Sequence, residues 1–116
     1  MKTGIDITLI NRFSNISESF LRKTFTENEI NYIKKANNSA QTIAGLYSAK
    51  EAFLKAIKKG ISAYHLKDIE INHKESGSPF IKLYGTIQND ISYSQIDVSI
   101  SHDGDYAISI VTILCI

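Results

Sequence analysis

From Thr3 to Ile10, TGIDITLI alternates small or polar residues with branched apolar ones, the period-two pattern of a strand. Beyond it the period lengthens. SESFLRKTF carries Phe20 and Phe25 as the apolar anchors of a short helix, and Thr26 with Glu29 in TENE has the spacing of a capping box ahead of INYIKKA. NNSAQ then offers an N-cap for the longest helix, predicted over roughly Ala40 to Lys58 and stopped by Gly60. Along it Ile43, Leu46, Tyr47, Ala49, Ala52, Phe53, Ala56 and Ile57 recur near the i, i+3, i+4, i+7 spacing of a core-facing stripe.

Strand signals return at DIEINH, where Ile69 and Ile71 alternate with polar partners, and ESGSP turns the chain into FIKLYG as in a hairpin. A short helical piece near Gly85 to Ser92 precedes IDVSIS and YAISIVTILCI, with Asp103-Gly104 as the turn signal between those two strands. Strands precede, interrupt and follow a block of helices, which is α+β order and not a βαβ alternation. In the last strand Ala107, Ser109, Val111, Ile113 and Cys115 share one face; Tyr106, Ile108, Ile110, Thr112 and Leu114 share the other. Both faces are largely apolar and need cover, some of which a second subunit is expected to supply.

A length of 116 residues fits one domain over 1–116. Hydrophobic residues at 43% and charged residues at 22% exclude a disordered chain. A formal net charge of +1 leaves no bulk field for a polyanion, so nucleic acid is not an expected partner. No apolar run nears the ~20 residues of a membrane span, and MKTGIDITLI, interrupted by Asp6, does not read as a secretory signal. The single cysteine, Cys115, has no internal partner and lies in an apolar run where burial is expected. The expectation is a soluble cytoplasmic domain.

Four groups of residues could carry chemistry. Asp6 is a carboxylate among β-branched residues beside Gly4; because an unpaired buried charge is costly, the plain expectation is a strand-end acid that faces solvent or caps the next helix. Lys50, Glu51 and Lys55 interrupt the apolar long helix. Glu51 and Lys55, four apart, suit a helix ion pair worth ~0.2–0.5 kcal/mol; they equally suit an oxygen ligand for a hard cation and a point charge for phosphate. His102 is in phase with Val98 and Ile100 and is predicted to face the side they bury, between Ser101 and Asp103 and close to Asp105. Arg12 on the first helix, followed by Arg22 and Lys23, reads as a solvated face or as a dock for an acidic partner. One Asp and one Glu would leave most of a coordination sphere to water and substrate phosphates, which is the habit of Mg2+.

Taken in order, GIDIT with Arg12, TENE, AKEAFLKA with Gly60, DIEI with GSP, and SISHDGDYA resemble the holo-[acyl-carrier-protein] synthase family, the short bacterial 4′-phosphopantetheinyl transferases, nearly end to end. The resemblance implies a 4′-phosphopantetheinyl transferase-like α+β fold, an antiparallel sheet packed with one long and several short helices. It implies a homotrimer with coenzyme A held between neighbouring subunits. The reaction it implies moves the phosphopantetheine arm of coenzyme A to a serine of acyl carrier protein, releases adenosine 3′,5′-bisphosphate and supports fatty acid biosynthesis. Residue by residue, Asp6 and Glu51 match the Mg2+ ligands and Lys55 the lysine set against the coenzyme A phosphates. Ser101 and His102 match the strand-end pair near the nucleotide, and Gly60 the glycine that ends the long helix beside coenzyme A. Arg12, Arg22 and Lys23 match the basic surface on which the acidic carrier protein docks. Glu51, Lys55, His102 and Asp103 are then the catalytic candidates, with the serine proton passing to Glu51, Asp103 or a metal-bound water.

Three positions depart from the family pattern. Leu9 stands where many members carry glutamate, Leu46 where a basic residue is common, and Asp103 where Ser or Thr is frequent. Leu46 removes one contact to a nucleotide phosphate, and Asp103 repels phosphate unless it reaches the metal. The competing readings are a non-catalytic module that keeps the fold and a structural domain whose charges are all solvated or paired. Retention of both Asp6 and Glu51 argues against a pure binder.

Overall fold

The computed structural model describes residues 1–60 and 64–116. In chain order they form β1 (Lys2–Leu9), α1 (Glu18–Thr24), α2 (Glu27–Lys35), α3 (Ala40–Ala56), β2 (Ile69–His73), β3 (Pro79–Leu83), α4 (Gly85–Asp90), β4 (Tyr93–Asp103) and β5 (Tyr106–Cys115). A 3-10 turn over Ile10–Phe13 carries the chain out of β1. β1, β5 and β4 make an antiparallel sheet in that order, and β2 with β3 make a separate hairpin. The order is the α+β arrangement that the sequence predicts.

α3 lies along one face of the three-stranded sheet, against β1 and β5. Gly4 permits the contact: a Cβ there would run into the Ala52 carbonyl and lie 2.5 Å from the Ala56 nitrogen. The hydroxyls of Ser48 and Ser109 hydrogen-bond across the same seam. The outer face of the sheet is apolar and uncovered. Ile5, Ile7 and Leu9 of β1 and Tyr106, Ile108, Ile110 and Leu114 of β5 are exposed there, Ile7 by 61%. A face of this kind marks an interaction surface.

The capping box of α2 forms as predicted: Thr26 Oγ1 accepts the Glu29 N–H at 3.2 Å, and Glu29 accepts the Thr26 N–H at 2.9 Å. Glu29 does more than cap. Its Oε1 also accepts from Lys50 Nζ at 2.8 Å and its Oε2 from the Ile71 N–H at 2.8 Å. Lys50 is wholly buried, and its ammonium also donates to the carbonyls of Leu66 and Ile69. Burial pushes the Lys50 ammonium down and the Glu29 carboxyl up from their ordinary pKa values, and the attraction within the pair opposes both shifts. The pair fastens α2, α3 and β2 together.

Two boundaries differ from prediction. α3 ends at Ala56, and the residue that closes it is Lys58, at φ 60°, not Gly60. Lys58 N–H reaches the Lys55 carbonyl at 3.1 Å and Lys59 N–H the Leu54 carbonyl at 3.0 Å, the two bonds of a Schellman cap. Gly60 lies beyond the cap and is exposed. At the last hairpin Asp103 still pairs with Tyr106, so the turn is Gly104-Asp105 and not Asp103-Gly104. Gly104, at φ 57°, takes the first central position, where a two-residue hairpin loop demands glycine.

Candidate active site

β1 is inverted relative to an ordinary strand on a helix: Gly4, Asp6 and Thr8 face α3, while the isoleucines face outward. Asp6 is therefore buried and does not face solvent or cap a helix as expected; its exposure is 9%. The burial is compensated. Oδ2 accepts the Thr8 hydroxyl at 2.6 Å, and Oδ1 accepts from Lys55 Nζ at 3.0 Å. Lys55 thus pairs across to β1, in place of the within-helix pair with Glu51 that their spacing suggests. Its side chain is 55% exposed, so the ion pair contributes only ~1 kcal/mol or less.

Glu51 stands one turn before Lys55 on the same side of α3 and is half-buried. Tyr47 is its neighbour: burial, then the Glu51 carboxylate, push the Tyr47 phenol above its ordinary pKa. The Arg12 guanidinium lies 5.5 Å from the Tyr47 ring centroid and 5.4 Å from that of Phe13. Arg12 therefore sits on the 3-10 turn at the Glu51 end of this flank, apart from Arg22 and Lys23, which are exposed on α1. Arg22 meets Glu27 at 3.6 Å.

The opposite flank holds His102. As predicted it shares a face with Val98 and Ile100 and points toward α3, where its Nε2 lies 3.1 Å from the Gln41 carbonyl. Gly45 leaves room for it, since a Cβ there would stand 2.9 Å from Nε2. Beside the imidazole runs a groove of about 190 Å3. Thr42, Gly45 and Leu46 of α3 form one wall, and His73, Gly77 and Pro79 of the β2–β3 hairpin form another. Tyr32, Ile100 and His102 complete it.

Ser101 and Asp103 lie on the other face of β4 from His102, because side chains alternate along a strand. Ser101 instead borders an apolar depression of about 200 Å3 on the outer face, with Ile5, Ile108 and Ile110. The strand end brings Ser101, His102 and Asp103 together in sequence but not on one surface.

The two flanks are separate. Register places Asp6 opposite Ser109 and His102 opposite Ala107, with β5 between them, so their Cα atoms are about 12 Å apart. Around α3, Glu51 lies about 120° from Gly45 at ~100° per residue. Each chain shows a carboxylate–lysine flank on the β1 side of α3 and a histidine groove on the β4 side. Among the described residues no three or more His, Cys, Asp or Glu side chains cluster to hold a metal. Sequence reasoning read Tyr47 only as core and passed over Tyr32, Gly45 and His73; Gly45 lies inside α3, Tyr32 inside α2 and His73 at the end of β2, where no local pattern marks them.

An antiparallel sheet crossed by one long helix, with polar groups on both flanks of that helix, defines an α+β domain. The sequence model of the 4′-phosphopantetheinyl transferase superfamily matches residues 2–111. The chain is 36% identical over 115 residues to a holo-[acyl-carrier-protein] synthase of Halothermothrix orenii, covering 93% of this chain and 92% of that one. It is 41% identical over 111 residues to one of Caldicellulosiruptor saccharolyticus, covering 91% and 89%. Among solved structures, the Helicobacter pylori holo-[acyl-carrier-protein] synthase in complex with coenzyme A superposes with a TM-score of 0.83 at 30% identity, covering 96% of this chain and 98% of that one. A Bacillus anthracis holo-(acyl-carrier-protein) synthase in complex with CoA (3′,5′-ADP) gives 0.83 at 29% identity, covering 98% and 96%. The chain belongs to the holo-[acyl-carrier-protein] synthase family and is a phosphopantetheinyl transferase enzyme.

Proposed function

We propose that residues 1–116 act as one Mg2+-dependent domain that moves the 4′-phosphopantetheine arm of coenzyme A to a serine of apo acyl carrier protein. Adenosine 3′,5′-bisphosphate leaves, and the reaction serves fatty acid synthesis in the cytoplasm. The observation that carries this reading is the β1 flank: a buried Asp6, fixed by Thr8 and Lys55, with Glu51 one turn before Lys55 on α3.

The donor set fits a hard cation. Asp6 and Glu51 offer carboxylate oxygens and are few enough to leave positions for water and phosphate, as Mg2+ prefers. When bound, the ion supplies charge neutralisation on both sides of the breaking phosphorus–oxygen bond. The chain's own residues do the rest. Thr8 holds Asp6 in one orientation, and Lys55, mostly exposed beside it, meets a phosphate oxygen and adds positive charge where negative charge develops. His102 holds the nucleotide side. Gly60, just past the α3 cap, borders the path of the arm.

No single chain brings the two flanks together, and the outer sheet face is apolar and uncovered. Both facts are accounted for by a homotrimer in which the Asp6 flank of one subunit adjoins the His102 groove of the next. In that arrangement Ser101, on the outer face, turns toward the neighbour and the shared coenzyme A. Arg22 and Lys23 on exposed α1 dock the acidic carrier protein, and Arg12 links that surface to Glu51.

The test is the intact mass of an apo acyl carrier protein incubated with this chain, coenzyme A and Mg2+. The expected gain is one phosphopantetheine, lost with Glu51→Gln or excess chelator. No gain on several carrier proteins, from a folded sample that binds coenzyme A, overturns the proposal.

A further inference from the structure

Glu51 lacks the partner that its spacing offers. Lys55, one helical turn on, is drawn across to Asp6 at 3.0 Å, and among the described residues no Lys or Arg forms a salt bridge with Glu51. Asp6, by contrast, is held twice, by the Thr8 hydroxyl at 2.6 Å and by Lys55. An unheld glutamate samples many rotamers, whereas a cation that keeps most of its waters needs its few protein oxygens in place. The group that meets Glu51 is the phenol of Tyr47, one turn earlier on the same side of α3. The same hydroxyl also interacts with the Arg12 guanidinium.

The ring that carries this hydroxyl is fixed by packing. Its centroid lies 5.2 Å from that of Phe13 and 6.4 Å from that of Phe20, and those two rings are 6.1 Å apart. The guanidinium lies over both Phe13 and Tyr47. A guanidinium can only donate and a carboxylate can only accept, so the polarity of the chain is forced. Arg12 donates to the phenol oxygen, and the phenol donates to Glu51. Arg12 forms no salt bridge with Glu51 itself, which leaves the phenol as their link. A neutral hydroxyl orders the acid without cancelling the charge that a cation requires; an ammonium in its place would compete with the ion.

Resting on the transferase reading above, we propose that Tyr47 is a positioning residue for the reaction: its hydroxyl, oriented by Arg12, holds the Glu51 carboxylate ready for the divalent cation, as Thr8 holds Asp6. Tyr47 acts through Glu51 and not on the reacting atoms.

The experiment centres on Tyr47→Phe, which keeps the ring and its aromatic contacts and deletes only the hydroxyl. Mn2+ is the probe, its binding to the folded chain with coenzyme A present followed by the electron spin resonance of the free ion. The variant should keep a Tm near the native value while the Kd for Mn2+ rises about 10-fold, the low end of what losing a ligand's supporting hydrogen bond costs. In turnover the Mg2+ concentration for half-maximal rate should rise by a similar factor, while kcat at saturating Mg2+ changes less than about 3-fold. In an Arg12→Ala background the same substitution should weaken Mn2+ binding less than it does alone, because the two act along one path. On the native chain, adding Mg2+ with coenzyme A should perturb the tyrosine absorbance, and Glu51→Gln should abolish that signal. A native chain without the signal overturns the proposal whether or not the variant folds. So does a folded Tyr47→Phe that binds Mn2+ as tightly as the native chain, or one that loses metal and coenzyme A together as its Tm falls. A native chain that binds Mn2+ with Tyr47's help yet modifies no carrier protein sinks the transferase reading and leaves this one standing. A native chain that binds no Mn2+ sinks both.

Discussion

Replacing Lys50 with methionine tests how this small core tolerates a charge. The ammonium is wholly buried and donates to Glu29 Oε1 at 2.8 Å, to the Leu66 carbonyl at 2.7 Å and to the Ile69 carbonyl at 2.6 Å. Methionine keeps most of the stem, so the loss is of charge and donors more than of packing. Left behind are a carboxylate with only the Ile71 and Thr26 N–H groups for partners and two carbonyls stripped of a donor. Removing one side of a buried pair costs about 3–5 kcal/mol, and the lost donors to the Leu66 and Ile69 carbonyls add to it, less so at Leu66, which keeps the Ile69 N–H. Against the ~5–15 kcal/mol that holds a domain folded, that is a large share. Urea unfolding at neutral pH and fixed chain concentration should show a fall in midpoint with little change in slope. Adding Glu29→Gln should restore part of the loss, because the orphaned charge is gone, and the double-mutant cycle should show coupling of about 2 kcal/mol. A loss below about 1 kcal/mol for Lys50→Met, or a double variant worse than the sum of the singles, would refute the account. Glu51 follows Lys50 directly, so the buried pair also sets the rotation of α3 that aims Glu51 along the Asp6 flank.

Other outcomes follow from single features. Lys58→Gly removes a side chain from a left-handed position and should raise stability by about 1 kcal/mol, read as a higher Tm. Arg22→Ala should raise KM for carrier protein a few-fold and flatten its salt dependence with kcat unchanged, as steady-state assays at two ionic strengths would show. Burial pushes the Glu70 carboxyl up, but hydrogen bonds from Thr26, Asn72, Tyr84 and Asn28 outweigh it and hold the group below its ordinary value of 4.5. A depressed carboxyl stabilises the fold fully above the unfolded value and loses that contribution as pH falls through and below it. Unfolding midpoints measured downward from pH 6 should therefore drop less steeply for Glu70→Gln than for the native chain.

Much of the fold was legible because local and global signals agree. The TENE capping box, the apolar stripe of α3 and the alternation of β5 are each enforced by short-range geometry and then by burial. The failures fall where tertiary contact overrides a local rule. Asp6 points inward because Gly4 and Ala52 let β1 approach α3 closely enough for Lys55 to meet it, a long-range pairing that no spacing announces. Lys58 closes α3 where glycine is expected, since the Schellman bonds form around it regardless. The Asp-Gly signal is displaced by one residue because Asp103 gains a strand partner in Tyr106. His102 was placed on the correct face by periodicity alone, yet the same periodicity sends Ser101 to the other face. The stacking of Tyr32 on His73 could not be read at all, for nothing near either residue in sequence points to the other.

The division of chemistry between the two sides of α3 has a genetic consequence. On the proposed assembly, a subunit damaged at Glu51 still carries a sound groove, and one damaged at His102 still carries a sound acidic flank. Mixed at random, two such inactive forms would rebuild about one junction in four. Two forms damaged on the same flank would rebuild none. Alleles of one short reading frame should thus sort into two complementation groups, and the border between those groups would trace the axis of a single helix.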